Sequence, residues 1–327
     1  MIISLFSKFF ILLNLLLFTF LSLYLMDLII IWFFMEIMNF LFIYLMNMSM
    51  KNKKMIFFYF IIQIIPSFII IYTMIFNTMF ISNDLFYMFI LLALMMKLSI
   101  PPFHFWLPII SKHLNWFLLF ILLTVMKITP FYFTSLIYIN ITMIYMILLM
   151  CSFIPPIMLI NTNNFKIIMS YSSINQTGWM ILLTSLKNII WLKYIMFYSL
   201  ILMNLFFIMN YFKLFINYSS YMKINFNFLN MMLIFNMAGL PPFSFFYMKW
   251  FSIFLIMNNS NYFIIMIILM ISSFLMLFIY TNMFIHSLFL YKFKSKMLNL
   301  SNSYPMNNSM FPFLFMSLFL SSMLLIM

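Results

Sequence analysis

Lys97-Leu98-Ser99-Ile100-Pro101-Pro102-Phe103-His104-Phe105-Trp106-Leu107-Pro108 is the stretch on which the reading of this chain turns. It sets a cation, two consecutive prolines and a histidine inside a long apolar run. Its centre, Ile100-Pro101-Pro102-Phe103, recurs 140 residues later as Leu240-Pro241-Pro242-Phe243. A proline lacks the N–H that would pair with the carbonyl four residues earlier. Pro101 and Pro102 therefore leave the carbonyls of Lys97 and Leu98 without helical donors, and Pro241 and Pro242 do the same to Met237 and Ala238. Gly239 beside the second pair adds to the break there.

The surroundings of these breaks are hydrocarbon. The chain has 327 residues, of which 68% are hydrophobic, 22% aromatic and only 6% charged, with a mean hydropathy of +1.19. Soluble domains carry about 25% charged residues, so this chain cannot clothe a globule in water and reads as an integral membrane protein. No separate soluble domain fits. All sixteen basic residues are Lys, and Ala and Gly occur twice each against 48 Phe and 39 Met. No rule of membrane folding selects that set, but A/T-rich codons do, which points to a mitochondrial genome. The single Cys151 excludes an internal disulfide and a Cys-ligated cluster. The apolar N-terminus lacks a small-residue cleavage site and reads as a first span.

Dividing the apolar runs at Lys, Asn, Ser and Pro clusters predicts eleven transmembrane helices, over 2–22, 24–46, 55–76, 85–112, 114–133, 136–154, 166–185, 189–211, 226–256, 262–286 and 311–327. The fourth and ninth hold the Pro pairs and are too long for one straight span. Alternating the loops between two sides puts eleven lysines, from Lys8 to Lys296, on one side and only Lys187 and Lys193 on the other, with Asp27 and Asp84. That asymmetry is what the positive-inside rule requires. It puts the N-terminus on the side of synthesis, the matrix in a mitochondrion. The two breaks lie five spans apart, an odd step, so the second copy enters the membrane inverted. The expected fold is an all-α polytopic bundle: two inverted five-helix repeats with broken helices, 1–134 and 135–290, then a loop and an extra helix over 291–327. Pro66, Pro130 and the pair Pro155-Pro156, the last at an expected helix end, read as packing kinks.

Four charges remain inside the spans: Glu36, Lys97, Lys127 and Lys249. Each costs roughly 2.5 to 3.5 kcal/mol at a helix centre on insertion scales, which a purely structural bundle has no reason to carry. Burial disfavours the charged form of such groups and an opposite charge restores it, so a chain of them can be poised to pass a proton along. The lysines can also snorkel towards the headgroups, Lys127 most easily; Glu36, short and mid-helix, least. His104 after the first break either joins this path or is simply hydrogen-bonded there. His113 and His286 fall near span ends. Three histidines without facing pairs argue against a bis-histidyl haem, and no Gly-rich nucleotide loop or carboxylate metal cluster is present in the sequence.

The stretches that carry these charges resemble the subunit 2 family of mitochondrial NADH dehydrogenase, respiratory complex I. They are Trp32 to Asn39 around Glu36, Lys97 to Pro108, Leu123 to Pro130 around Lys127, Tyr171 to Trp179, and Asn236 to Phe243 leading to Lys249-Trp250. The resemblance covers nearly the whole chain in order, and the Lys97 to Pro108 segment is its most specific part. It implies an antiporter-like subunit of the membrane arm, in the eleven-helix animal form. By this resemblance Glu36 matches the glutamate of the first repeat, Lys97 the lysine of the first broken helix, Lys127 the connecting lysine and Lys249 the lysine of the second broken helix. The implied proton path runs along the midplane through them. It also implies that NADH, FMN, iron-sulfur clusters and ubiquinone are bound elsewhere in the complex and that this chain binds no cofactor or metal. Two positions depart from the family: Ile109 follows Pro108 where Glu is frequent, and Gln176 stands where His is frequent. A glutamine positions water without exchanging a proton.

The expected function is therefore participation in proton translocation across the mitochondrial inner membrane, coupled to electron transfer from NADH to ubiquinone. The expected partners are other membrane-arm subunits, neighbouring antiporter-like ones among them, and lipid, with no nucleic acid. Two rivals stand beside it. A stand-alone cation/proton antiporter would need an ion-binding carboxylate, for which only Glu36 qualifies within the spans. A structural membrane anchor would tolerate loss of the buried lysines.

Overall fold

A computed structural model of the chain describes residues 2–77, 83–162, 164–186, 189–211, 224–241, 243–257 and 262–297. The expected last span 311–327, and Pro242, lie outside the described residues. Every regular element described is an α-helix. In chain order they are α1 (Ile2–Tyr24), α2 (Leu28–Ser49), α3 (Lys53–Asn77), α4 (Asn83–Leu98), α5 (Trp106–His113), α6 (Trp116–Leu123), α7 (Val125–Leu136), α8 (Ile141–Leu159), α9 (Phe165–Ser185), α10 (Ile190–Tyr211), α11 (Ile224–Ala238), α12 (Ser244–Met257) and α13 (Phe263–Met297). Seven described helical stretches are each long and apolar enough to cross a bilayer. Large side chains such as Phe9, Phe33, Phe68, Phe153 and Phe274 stand exposed on them, as a surface solvated by lipid demands. This is a multi-pass membrane protein.

The first ten expected spans each coincide with described helix, and both Pro-pair spans are broken as expected, into α4 and α5 and into α11 and α12. Three differences have local causes. The fifth span is also interrupted, at Thr124, whose hydroxyl donates to Phe120 O at 2.7 Å. Such a bond from Thr to its own preceding turn slightly weakens a helix, and Val125 beside it is another β-branched residue disfavoured in helix. Pro155 and Pro156 lie inside α8, not at its end. Proline's fixed φ is itself helical, so a pair near the last turn forfeits two backbone bonds without ending the helix. Finally, α13 runs on to Met297, beyond the expected 286.

The chain divides into two compact units, each built from more than one stretch of sequence. The first comprises Met1–Cys151 with Gln176–Leu192, and the second Ser152–Asn175 with the residues from Lys193 onward. In the first unit, α4 presents Phe86, Ile90, Ala93 and Leu94 on one stripe at helical spacing. They meet Ile31 and Met35 of α2, Ile70 of α3 and Phe133 of α7 in one core. Trp32 Nε1 donates to Ser67 O at 3.1 Å and Tyr132 OH to Leu25 O at 2.8 Å, tying α2 to α3 and α7 to the α1–α2 turn. In the second unit α11, α12 and α13 pack on one another. Phe245 of α12 also meets the rings of Tyr194 and Tyr198 on α10, at 4.9 and 6.5 Å between centroids.

Candidate functional site

Both breaks end their first half-helix in the same way. The amide of Ile100 reaches back to Met95 O at 2.9 Å, and that of Leu240 to Phe235 O at 3.3 Å. The turn each closes requires a left-handed residue just past the helix: Ser99 has φ 58° and Gly239 has φ 81°. After the break Phe103 N–H donates to Ile100 O and Phe243 N–H to Leu240 O, both at 2.9 Å. The repeat read from the prolines is thus also a repeat of the turn that closes each first half-helix.

In the first unit, Lys97 closes α4 and reaches α2, where its Nζ lies 2.5 Å from Glu36 Oε1. Only 2% of the Lys97 side chain and 14% of that of Glu36 are accessible, so this is a buried ion pair rather than two snorkelling residues. Asn39, one turn on from Glu36, donates to the same oxygen at 3.4 Å. Across the break Trp106 Nε1 donates to Met96 O at 3.1 Å, supplying one helix-end carbonyl with a donor.

Beside the pair lies a cavity of about 20 Å³, large enough to hold a water. Lys97 and Lys127 both line it, together with Asn39, Tyr59, Gln63 and Thr129. The interruption at Thr124 sets Lys127 there: its amide bonds Thr124 O at 3.0 Å, a tight turn that starts α7. Beyond the cavity Lys127 interacts electrostatically with Cys151, whose thiol hydrogen-bonds Thr177. Gln176 is buried in the same unit. His104 is buried too, with Nδ1 3.3 Å from Pro102 O and its ring against Phe105. It is not among the residues lining the cavity.

In the second unit Lys249 of α12 is 4% exposed and donates from Nζ to Ala238 O at 2.7 Å. That is the carbonyl deprived of its donor by Pro242. Asn236 spans the break: its Oδ1 accepts from the Phe245 amide at 2.9 Å and from Ser244 Oγ at 3.1 Å. The side chain thereby caps the N-terminus of α12. Asn236→Leu strands both of those donors in a buried site, and unpaired buried donors cost about 1 to 3 kcal/mol. The expected outcome is a lower thermal midpoint of the assembled protein; an unchanged midpoint would show that Asn236 does not hold the two half-helices.

Sequence reading singled out all four charges and both breaks. It missed Tyr59, Gln63 and Thr129 as cavity walls, although Tyr59 and Gln63 stand at helical spacing in an apolar helix, a visible signal of a polar face.

Two broken helices of one design, each serving a buried lysine, define an antiporter-like membrane subunit. Comparison with known proteins agrees. Residues 26–276 match the model of the family described as NADH:quinone oxidoreductase/Mrp antiporter, transmembrane. NADH-ubiquinone oxidoreductase chain 2 of Rhipicephalus sanguineus is 34% identical over 76% of this chain and 79% of its own length. The chain of that name from Aedes aegypti is 32% identical over 65% of this chain, and the match spans 63% of the mosquito protein. Among solved structures, a chain of respiratory complex I from Thermus thermophilus has the same fold, with a TM-score of 0.74 at 15% identity, over 95% of this chain and 75% of that one. The chain belongs to the NADH:quinone oxidoreductase/Mrp antiporter family, and within it to the NADH-ubiquinone oxidoreductase chain 2 proteins.

Proposed function

We propose that the chain is a core membrane-arm subunit of mitochondrial NADH:ubiquinone oxidoreductase and takes part in moving protons across the inner membrane. Glu36, Lys97 and Lys127 form a first proton-handling station and Lys249 a second. The observation that carries this reading is the cavity with Lys97 and Lys127 on its walls and Glu36 paired behind. Proton transfer needs heavy atoms within hydrogen-bond reach, directly or through one water, and a cavity of about 20 Å³ admits one water. Asn39, Gln63, Tyr59 and Thr129 supply the polar contacts a water there requires. Moving one charge against 100 mV takes about 2.3 kcal/mol. Exchanging a carboxylate partner for a neutral one alters a buried lysine's preference by a comparable amount.

The lysine asymmetry of the loops supports a matrix-facing N-terminus. The apolar exposed faces suit lipid and neighbouring membrane-arm subunits, antiporter-like ones included. NADH, FMN, iron-sulfur clusters and ubiquinone are assigned to other subunits. His104, held at the first break, is left outside the relay in this reading. Lys127→Met tests the station where it depends on geometry alone. The expected outcome is a clear fall in protons translocated per NADH oxidised by the assembled enzyme in sealed vesicles. An unchanged ratio in an enzyme that assembles normally would remove Lys127 from the path.

A further inference from the structure

The matching breaks part company over one carbonyl. In the first unit the last carbonyl of the half-helix, Leu98 O, accepts the hydroxyl of Ser99, and Lys97 turns away to Glu36. In the second unit the corresponding carbonyl, Ala238 O, accepts Lys249 Nζ. The position matching Ser99 is Gly239, which has neither a hydroxyl to compete nor a Cβ to obstruct. A Cβ built on Gly239 would lie 2.9 Å from Lys249 Cδ, 3.2 Å from Cε and 3.1 Å from Nζ. The lysine therefore lies along the face of the glycine to reach its acceptor.

We infer that Gly239 is a positioning residue for Lys249: it leaves open the path along which the amine docks on the carbonyl that Pro242 deprives of a donor, and so sets where the second proton-handling lysine rests. This rests on the reading of Lys249 as part of the relay. Chemistry gives the arrangement a purpose. The unit that contains Lys249 has no acidic residue, since Asp27, Glu36 and Asp84 all belong to the other. The ammonium is met instead by the C-terminal end of α11, where the helix dipole favours a cation. A carbonyl accepts from an ammonium or from a neutral amine alike. Lys249 can thus surrender its proton and remain anchored, which a carboxylate partner would not allow equally in both states.

The positive φ of Gly239 is a competing reason for a glycine at this position, and the test separates the two. Ser99 holds φ 58° at the matching position, so Gly239→Ser introduces a residue that this turn accommodates elsewhere in the chain. It adds both the Cβ and the competing hydroxyl. In the assembled enzyme, in sealed vesicles, Gly239→Ser is expected to lower protons per NADH to the level of Lys249→Met, and the double variant to fall no further. Normal coupling in Gly239→Ser, or an additional loss in the double variant, would overturn the inference. Normal coupling in Lys249→Met itself would instead overturn the relay reading on which it rests. If Gly239→Ser fails to assemble, Gly239→Ser with Lys249→Ala decides. Recovered assembly identifies the lysine as what the Cβ strikes; continued failure identifies backbone strain and rejects the positioning role.

Discussion

Lys97→Met is expected to abolish most proton translocation while also weakening the assembled subunit. The substitution removes one half of a buried pair: Glu36 is left 14% exposed, with Asn39 Nδ2 at 3.4 Å as its remaining described donor. Deleting one partner of a buried ion pair costs about 3 to 5 kcal/mol because a charge stays behind without compensation. Coupling falls for a different reason, since the cavity loses one of its two amines. The double variant Lys97→Met with Glu36→Gln divides these effects. Removing the stranded charge is expected to recover most of the thermal midpoint and none of the pumping. Protons per NADH in sealed vesicles and the melting of the intact enzyme are the two measurements. Normal pumping by the single variant, or recovery of both properties together in the double one, would refute the first station.

Lys249→Met is expected to lose proton translocation just as completely and to disturb stability far less. Its partner is a neutral carbonyl. What remains after substitution is one helix-end oxygen short of a donor, a loss of about 1 to 3 kcal/mol, and the methionine side chain is apolar and flexible enough to fill the vacated space. Ring contacts between Phe245 and Tyr194 and the clasp from Asn236 persist. The Lys249 variant is thus expected to melt above the Lys97 variant while pumping equally poorly. The reverse order of melting would contradict the assignment of a carboxylate partner to one lysine and a carbonyl partner to the other.

The sites of the two main breaks were legible because their cause is covalent and local: a proline has no amide hydrogen wherever it stands. The buried charges were legible for a similar reason, since an ionisable residue in the middle of an apolar run is conspicuous against its neighbours. The interruption at Thr124 was not. Pro130, six residues on, drew attention as the kink, whereas the helix is interrupted at Thr124. Thr73 and Thr134 also bond their preceding turns, inside helices that run on unbroken, so such a residue does not by itself mark where a helix stops. Likewise, the pair Pro155-Pro156 looked like an end and is carried inside α8.

By itself the sequence determined the class of protein, the approximate spans, the repeated breaks and which four charges are costly, all of which follow from composition, periodicity and the chemistry of single residues. The tertiary structure alone decided partnership. Glu36 and Lys97 are 61 residues apart and meet because α2 and α4 share one core. Lys97 and Lys127 share a cavity because α7 restarts just after Thr124. Lys249 meets Ala238 O, eleven residues back, with its side chain laid along Gly239. Distances of a few ångströms between residues remote in the chain depend on how helices pack, and no local pattern encodes that packing.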